Sequence, residues 1–160
     1  MTPHVPVAAD HVVTVDDQGR RTGTFDRAAV HTTETPLHLA FSCYVLDDAG
    51  RLLLTRRALG KRTWPGVWTN SFCGHPRWTE TTEESIVRHG RHELDLEITG
   101  LEVAVPGFRY RAVDASGVVE NEICPVYAAS AAGTVEPNPD EVMETAWADP
   151  RDVARAVTGT

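Results

Sequence analysis

At 160 residues the chain is long enough to bury a hydrophobic core, and its 41% apolar and 24% charged residues are ordinary for a globular protein. A net charge of −8 argues against broad binding to nucleic acids or anionic membranes, because both need a basic surface. The three cysteines lack CxxC spacing, which argues against a disulfide framework or a cysteine-rich zinc site. Since it has neither a long apolar run nor a signal-peptide pattern, we expect a cytoplasmic protein that does not enter a membrane.

The predicted elements mix strands with helices, and no internal repeat or linker divides them. After an irregular leader (1–10), the patterns predict a strand (12–15), a helical turn (25–31) and a hairpin made of strands 37–46 and 51–55 joined by a turn at 47–50. A helix follows, opened by a capping box at 81–84, with Ile86, Val87, Gly90 and Leu94 on one face. A second hairpin (107–113, turn 114–117, 118–127) precedes a last helix from Asp149-Pro150 to about Val157. This order predicts one α+β or α/β domain spanning residues 1–160.

The segment from Trp64 to Pro76 combines a thiol and an imidazole with glycines and prolines, a mixture that few hydrophobic cores contain. On an extended backbone Cys73 and His75 point to the same side and can face one pocket. A thiol near an imidazole and a metal can act as an acid or base, and Glu122 is a candidate partner. A buried structural cysteine is the alternative, and we assign that role to Cys43 and Cys124.

Three histidines and two acids form a candidate ligand set: His31, His38, His75, Glu120 and Glu122. The two carboxylates are two residues apart on a predicted strand, so they share a face and repel each other unless a cation or proton offsets them. Imidazole and carboxylate together suit a divalent transition ion. From spacing alone, a solvated strand face with scattered surface histidines remains an open alternative.

A cationic stretch stands out in this acidic chain, formed by Arg56, Arg57, Lys61 and Arg62. Guanidinium and ammonium groups are what a diphosphate needs for binding. A solvated basic edge of the preceding hairpin explains the same stretch equally well.

Five motifs together resemble one family: His31-Thr-Thr-Glu-Thr-Pro-Leu-His38, Trp64-Pro-Gly-Val-Trp-Thr-Asn-Ser71, Cys73-Gly-His-Pro76, Phe108-Arg-Tyr-Arg-Ala112 and Glu120-Asn-Glu-Ile-Cys-Pro-Val126. They are similar to type 1 isopentenyl diphosphate isomerases, and the match runs from about Thr22 to Trp147. The resemblance implies a Nudix-like fold, with a mixed β-sheet flanked by helices in an α/β sandwich. It also implies interconversion of isopentenyl and dimethylallyl diphosphate by a 1,3-allylic proton shift.

Carried over by position, the ligand set matches the family's single transition-metal site for manganese or zinc. Cys73 and Glu122 match its proton-transfer pair, and Tyr110 matches a tyrosine that orients the protonating group. Glu93 matches a ligand of a magnesium ion that arrives with the diphosphate and is also touched by the backbone carbonyl at Cys73.

The substrate-binding residues follow from the same resemblance. Arg27, Arg57 and Lys61 match phosphate-binding cations. A carbocation formed by alkene protonation needs nearby aromatic faces and the exclusion of water, and Trp68 and Tyr110 are candidates for the aromatic faces. We therefore expect a small-molecule diphosphate as the partner, no nucleic acid, and a monomer or weak homodimer.

The superfamily's Nudix box is degraded in this chain. It can be laid over Gly74, Glu80, Arg88 and Glu93, but three positions depart from it: His89 and His92 stand where carboxylates would be, and Asp95 replaces the closing glycine. A diphosphohydrolase needs those clustered carboxylates for magnesium, which weakens this alternative. His89 also replaces a common phosphate-binding arginine, and Thr79 replaces a common glycine, so we count neither as a site residue.

The resemblance also raises an expectation about the C-terminus. Family members continue with a tryptophan-bearing segment that closes over the substrate, whereas this sequence stops at Thr160. Without that lid we expect weak activity or none, with the metal site retained. A metal-binding protein without turnover is therefore a third hypothesis.

Overall fold

The computed structural model describes residues 10–159, so nearly all of the predicted leader lies outside the described residues. Within this range the strands form two sheets, accompanied by two helices. The elements are β1 (His11–Val15), β2 (Arg21–Asp26), β3 (His38–Leu39), β4 (Phe41–Leu46), β5 (Leu52–Arg57), β6 (Trp68–Thr69), β7 (Phe72–Gly74), α1 (Thr82–Leu94), β8 (Ile98–Val105), β9 (Arg109–Val113), β10 (Val119–Ile123), β11 (Val126–Ala131), β12 (Val142–Ala148) and α2 (Pro150–Thr158).

The smaller sheet has the strand order β2-β1-β3-β10-β9. Its neighbours are antiparallel except β3 and β10, which run parallel with His38 opposite Glu122. On the other side of β10, the antiparallel register places Glu122 opposite Tyr110. The middle of this sheet therefore brings three polar side chains to one level.

The larger sheet has the order β12-β5-β4-β11-β8, with β6 paired to β5 and β7 paired to β4. The short β7 strand places Cys73 opposite Ser42. The main hydrophobic core lies on this sheet and is formed by Phe41, Cys43, Val45, Leu53, Phe72, Ile86, Leu94, Leu96, Tyr127, Ala129 and Val142. Two of the core residues, Ile86 and Leu94, belong to α1, so this helix packs against the larger sheet.

Two predicted strands cross from one sheet to the other. The predicted strand 37–46 is interrupted at Ala40 between β3 and β4, and 118–127 is interrupted at Cys124 and Pro125 between β10 and β11. The physical reason at Pro125 is the missing N–H, which cannot donate to a ladder. Because β3–β4 and β10–β11 run parallel throughout, both segments change sheets together.

Helix α1 begins as the capping box predicts. The N-cap Thr81 side chain accepts a hydrogen bond from the Glu84 backbone N–H at 3.1 Å. Three of the four predicted face residues are buried, and Val87 is only half-buried. The helix ends at Asp95, which adopts the left-handed conformation that usually favours glycine (φ 46°).

The remaining predicted elements are confirmed fully or in part. The strand at 12–15, both hairpin turns and the Asp149-capped final helix are confirmed, although α2 has no buried residue. The helical turn predicted over 25–31 is confirmed only in part. Phe25 and Asp26 pair with β1 and extend β2, and the turn is confined to 27–29, where the Ala29 N–H donates to the Asp26 carbonyl at 3.1 Å. Strands β8 and β12 had not been predicted. In the described range, no helix combines the length and apolar character needed to cross a membrane.

Candidate metal centre and active-site pocket

Side chains from separate stretches of the chain converge at the middle of the smaller sheet. One ligand atom from each of His31, His38, Glu120 and Glu122 lies within 4.8 Å of the others. The His75 ring lies beside them, with its centroid 5.3 Å from that of His38 and its Nε2 3.3 Å from Glu122 Oε1. The structure therefore brings all five predicted ligands together.

The backbone explains how the first two histidines reach this cluster. His31 and His38 flank a loop that is held against β10 by two hydrogen bonds. The Val119 backbone N–H donates to the Thr32 carbonyl at 2.8 Å, and the Asn121 side chain donates to the Thr35 carbonyl at 3.2 Å. Because Asn121 lies between the two glutamates, it anchors the loop from the opposite face of the strand.

The protonation of His38 makes the cluster suited to a cation. Its Nδ1 lies 2.9 Å from the Pro36 carbonyl, which can only accept, so Nδ1 carries a proton. The opposite atom, Nε2, is completely buried without a hydrogen-bond partner and lies 3.4 Å from Glu122 Oε1. In the neutral ring, Nε2 therefore presents a lone pair near two carboxylates. A divalent metal ion fits this set of donors, because it satisfies the lone pairs and offsets the acids.

The ionisation of the cluster agrees with that chemistry. Burial lowers the pKa of His38, but the adjacent Glu122 carboxylate, the hydrogen bond to Pro36 and the charges of the two glutamates raise it overall. Burial raises the pKa of Glu122, but His38 and His75 outweigh burial and lower it. The site therefore favours an ionised carboxylate with positive charge beside it.

A cavity of about 770 Å³ opens next to this cluster. The predicted site residues that line it are Arg27, His31, Arg57, Lys61, Trp68, Cys73, His75, Glu93, Tyr110, Glu120 and Glu122. His38 is fully buried and does not line the cavity, so it lies behind the other ligands.

Cys73 and Glu122 face this cavity from different sheets, since Cys73 lies on β7 and Glu122 on β10. The Cys73 side chain is open to the cavity. Even so, the surrounding protein disfavours a thiolate and the carboxylates of Glu93 and Glu122 repel one, so the pKa of Cys73 rises to about 12. The thiol is neutral at physiological pH.

Tyr110 is bonded directly to the carboxylate of the pair. Its hydroxyl donates to Glu122 Oε2 at 3.0 Å. Burial, together with the charges of Glu122 and Glu120, raises the pKa of Tyr110, so the phenol keeps its proton for this bond. The hydrogen bond fixes the Glu122 oxygen that does not contact His38 and His75.

Glu93 lies on α1 and lines the same cavity. Burial and the nearby Glu141 raise its pKa to about 7, against the opposing charges of Lys61, Arg57 and Arg27. Because this pKa lies near neutral pH, a proton or a cation beside the Glu93 carboxyl group stabilises it.

The three predicted phosphate-binding cations line the cavity, but each already has a partner in this structure. The Arg57 side chain donates to the Thr63 carbonyl at 2.8 Å and to its hydroxyl at 2.9 Å. Arg27 lies 3.6 Å from Asp10, and Lys61 pairs with Glu141. Trp68 lies at the cavity with 42% of its surface exposed.

Sequence reasoning missed Glu141, which lines the cavity and pairs with both Lys61 and His92. No local signal identifies it, because it lies 80 residues from Lys61 and belongs to no predicted motif. Asp10, Asp140 and Trp64 also line the cavity and had not been proposed as site residues.

Comparisons with known proteins agree with the resemblance found in the sequence. The family model described as NUDIX domain matches residues 36–159. The isopentenyl-diphosphate Delta-isomerase of Clavibacter michiganensis is 55% identical over 156 residues, covering 98% of this chain and 80% of that protein. The protein of the same name from Salmonella paratyphi B is 51% identical over 151 residues, covering 94% of this chain and 83% of that protein.

A solved structure agrees at the level of the fold. The crystal structure of DR0079 from Deinococcus radiodurans matches with a TM-score of 0.70 and 22% identity, covering 94% of this chain and 90% of that one. The chain therefore belongs to the isopentenyl-diphosphate Delta-isomerase family and carries a NUDIX domain.

Proposed function

We propose that the protein interconverts isopentenyl and dimethylallyl diphosphate by a 1,3-allylic proton shift. The observation that carries this proposal is the placement of Cys73 and Glu122 on different sheets around one cavity, beside a cluster of metal-binding residues. A proton shift along an allylic chain needs one group that gives a proton to the alkene and another that removes one from the neighbouring carbon.

We assign the five clustered histidines and glutamates to one transition ion, manganese or zinc. Three imidazole nitrogens and two carboxylates are a donor set that both ions accept. When bound, such an ion supplies positive charge that anchors the Glu122 carboxylate and tunes its pKa.

The proton-transfer pair holds one proton in the resting protein. The surrounding protein and the charges of Glu93 and Glu122 keep the Cys73 thiol neutral, while His38 and His75 keep Glu122 ionised. One member protonates the terminal alkene carbon, which produces a tertiary carbocation, and the other removes a proton from the allylic carbon, so the double bond moves by one position. Because the reaction is reversible, each member donates in one direction and accepts in the other.

The carbocation needs protection from water, which would trap it as an alcohol. Aromatic faces stabilise a cation by about 2 kcal/mol when the site is desolvated. Tyr110 and Trp68 line the cavity and are the residues we assign to this role.

The diphosphate is assigned to the end of the cavity that contains Arg27, Arg57 and Lys61. Lys61 must exchange its bond to Glu141 for one to phosphate. Glu93 and the backbone carbonyl of Cys73 would hold a magnesium ion that accompanies the diphosphate, and that ion would neutralise phosphate charge.

Incubation with isopentenyl diphosphate in deuterated water tests the reaction. Deuterium in dimethylallyl diphosphate supports the proton shift. Phosphate release without isomerisation would favour the diphosphohydrolase. If neither dimethylallyl diphosphate nor phosphate forms, the chain is a metal-binding protein without turnover.

Elemental analysis tests the metal centre independently. We expect about one tightly bound transition ion per chain, lost in His38→Ala because Nε2 of this fully buried ring is a ligand. The matched control is His92→Ala, since this side chain is 60% exposed and lies outside the cluster. Equal metal content in both variants would contradict the assignment.

A further inference from the structure

We propose that His89 is a positioning residue whose ring, packed on Gly74, directs an Nδ1–H toward the Glu93 carboxylate. This inference rests on the function proposed above, in which Glu93 and the Cys73 carbonyl serve the diphosphate end of the site.

The first contact is with Glu93, one helical turn further along α1. Nδ1 of His89 lies 4.0 Å from Glu93 Oε1, and it is the only ion-pair contact that the described residues give to this carboxylate. Nδ1 is also buried without a hydrogen-bond partner. A small side-chain rotation would close the gap to a hydrogen bond, and such bonds often tighten only when substrate is bound.

The second contact is with Gly74. A Cβ atom added at this glycine would lie 2.5 Å from both Cε1 and Nε2 of the His89 ring. The ring therefore packs closely on the backbone between Cys73 and His75, and Phe41 packs against it edge-on with a centroid distance of 5.3 Å. The imidazole, which α1 carries, therefore lies between Gly74 of β7 and Phe41 of β4.

These contacts determine the tautomer of the ring. If Nδ1 were unprotonated, its buried lone pair would lie near a carboxylate oxygen and be repelled by it. The Nδ1–H tautomer instead provides a donor to Glu93 and leaves Nε2, beside Gly74, without a proton. In this tautomer Nε2 offers no N–H to a diphosphate.

A spectroscopic experiment tests the tautomer without any turnover. Nitrogen-15 NMR of the metal-free protein should show His89 with a proton on Nδ1, assigned by the signal that disappears in His89→Asn. The His89 signal should shift in Glu93→Gln, because the acceptor has changed. A ring protonated on Nε2 alone would overturn the proposal.

A matched pair of substitutions tests positioning in the reaction. The asparagine amide of His89→Asn can replace the Nδ1–H donor, whereas the longer glutamine of His89→Gln places its amide near the position of Nε2. We expect the magnesium concentration for half-maximal isomerisation to rise about tenfold in His89→Gln, as loss of a charge-assisted hydrogen bond predicts, and to stay within about twofold in His89→Asn. Equal changes in the two variants would overturn the proposal.

A double substitution separates positioning from simple packing. In the Glu93→Gln background, His89→Gln should change the magnesium requirement no further, because the group being positioned is already altered. If the unaltered protein isomerises nothing, the proposed function fails, and the NMR experiment still decides the His89–Glu93 contact.

Discussion

At the scale of single residues, the site is built from groups whose protonation is set by their neighbours. The Pro36 carbonyl fixes the proton of His38 on Nδ1, and the Tyr110 hydroxyl donates to Glu122. Each of these hydrogen bonds orients a lone pair or a carboxylate oxygen. Residues that do not react themselves therefore determine the protonation and orientation of the groups that do. The neutral thiol of Cys73 depends on the same effect.

Replacing Cys73 with alanine removes one member of the proton-transfer pair. Because positioned acids and bases contribute roughly 10²–10⁴-fold, we expect Cys73→Ala to lose about that factor in kcat while keeping its transition ion. Deuterium incorporation and elemental analysis measure the two quantities.

The matched control for this change is Cys124→Ser. Cys124 also lines the cavity, but it is buried beside the Ser42 hydroxyl with a separation of 3.6 Å, and serine can keep this contact. Near-normal turnover is expected for the control. Isomerisation by Cys73→Ala at the unaltered rate would refute the acid–base role.

At the scale of elements, short-range rules place each reactive group on a rigid segment. Strand β10 presents Glu120 and Glu122 on one face. Helix α1 begins after its N-cap residue Thr81 and carries His89 and Glu93 one turn apart. The loop before α1 is also held, because the Glu80 carboxylate accepts from the Arg77 backbone N–H at 2.8 Å and from two Arg88 nitrogens at 2.7 and 2.8 Å.

The Glu80–Arg88 pair predicts a pH-dependent contribution to stability. The Arg88 hydrogen bonds, together with that of Arg77, lower the pKa of Glu80 below its ordinary value of 4.5. A lowered folded-state pKa stabilises the protein above pH 4.5, and this contribution is lost as the pH falls through the folded-state value. We expect Glu80→Gln to lower the free energy of unfolding by about 1 kcal/mol at neutral pH, and by much less near pH ~3.

Urea unfolding at the two pH values measures this difference. Glu102→Gln serves as the control, because Glu102 is exposed on β8 and its replacement should change the free energy of unfolding little at either pH. A loss in Glu80→Gln that is the same at both pH values would contradict the ion-pair explanation.

At the scale of the whole molecule, two sheets bring together groups that are distant along the chain. His31, His38, Glu120 and Glu122 come from the smaller sheet and its loop, whereas Cys73 and the neighbouring His75 come from the end of β7 in the larger sheet. Unfolding disperses all of these ligands. An ion that binds only the folded protein therefore stabilises the entire fold.

Metal removal should consequently lower the thermal midpoint. An ion present at a hundred times its Kd adds about 2.7 kcal/mol, which for a chain of this size corresponds to roughly 5–10 °C. We expect a chelator to cause a decrease of this order in the unaltered protein, reversible on adding a divalent ion, and little decrease in His38→Ala. Scanning calorimetry with and without chelator measures the shift, and equal shifts in the two proteins would contradict metal binding at His38.

The sequence by itself determined those features that depend on neighbours along the chain. The capping box at Thr81, the hairpin turns and the shared face of Glu120 and Glu122 follow from local sterics and hydrogen bonding. The five motifs together, among them Cys73-Gly-His-Pro76, were sufficient to indicate the family. Local rules failed where partners in space overrode them, as at Phe25, which pairs with Val12 in β1.

Only the tertiary structure decided which side chains meet. The parallel register of β3 and β10 sets His38 opposite Glu122, and the packing of α1 on β7 places His89 against Gly74. Glu141 reaches Lys61 across 80 residues without any sequence signal. Such contacts depend on how sheets and helices pack over the whole core, and a local pattern of residues carries no information about that packing.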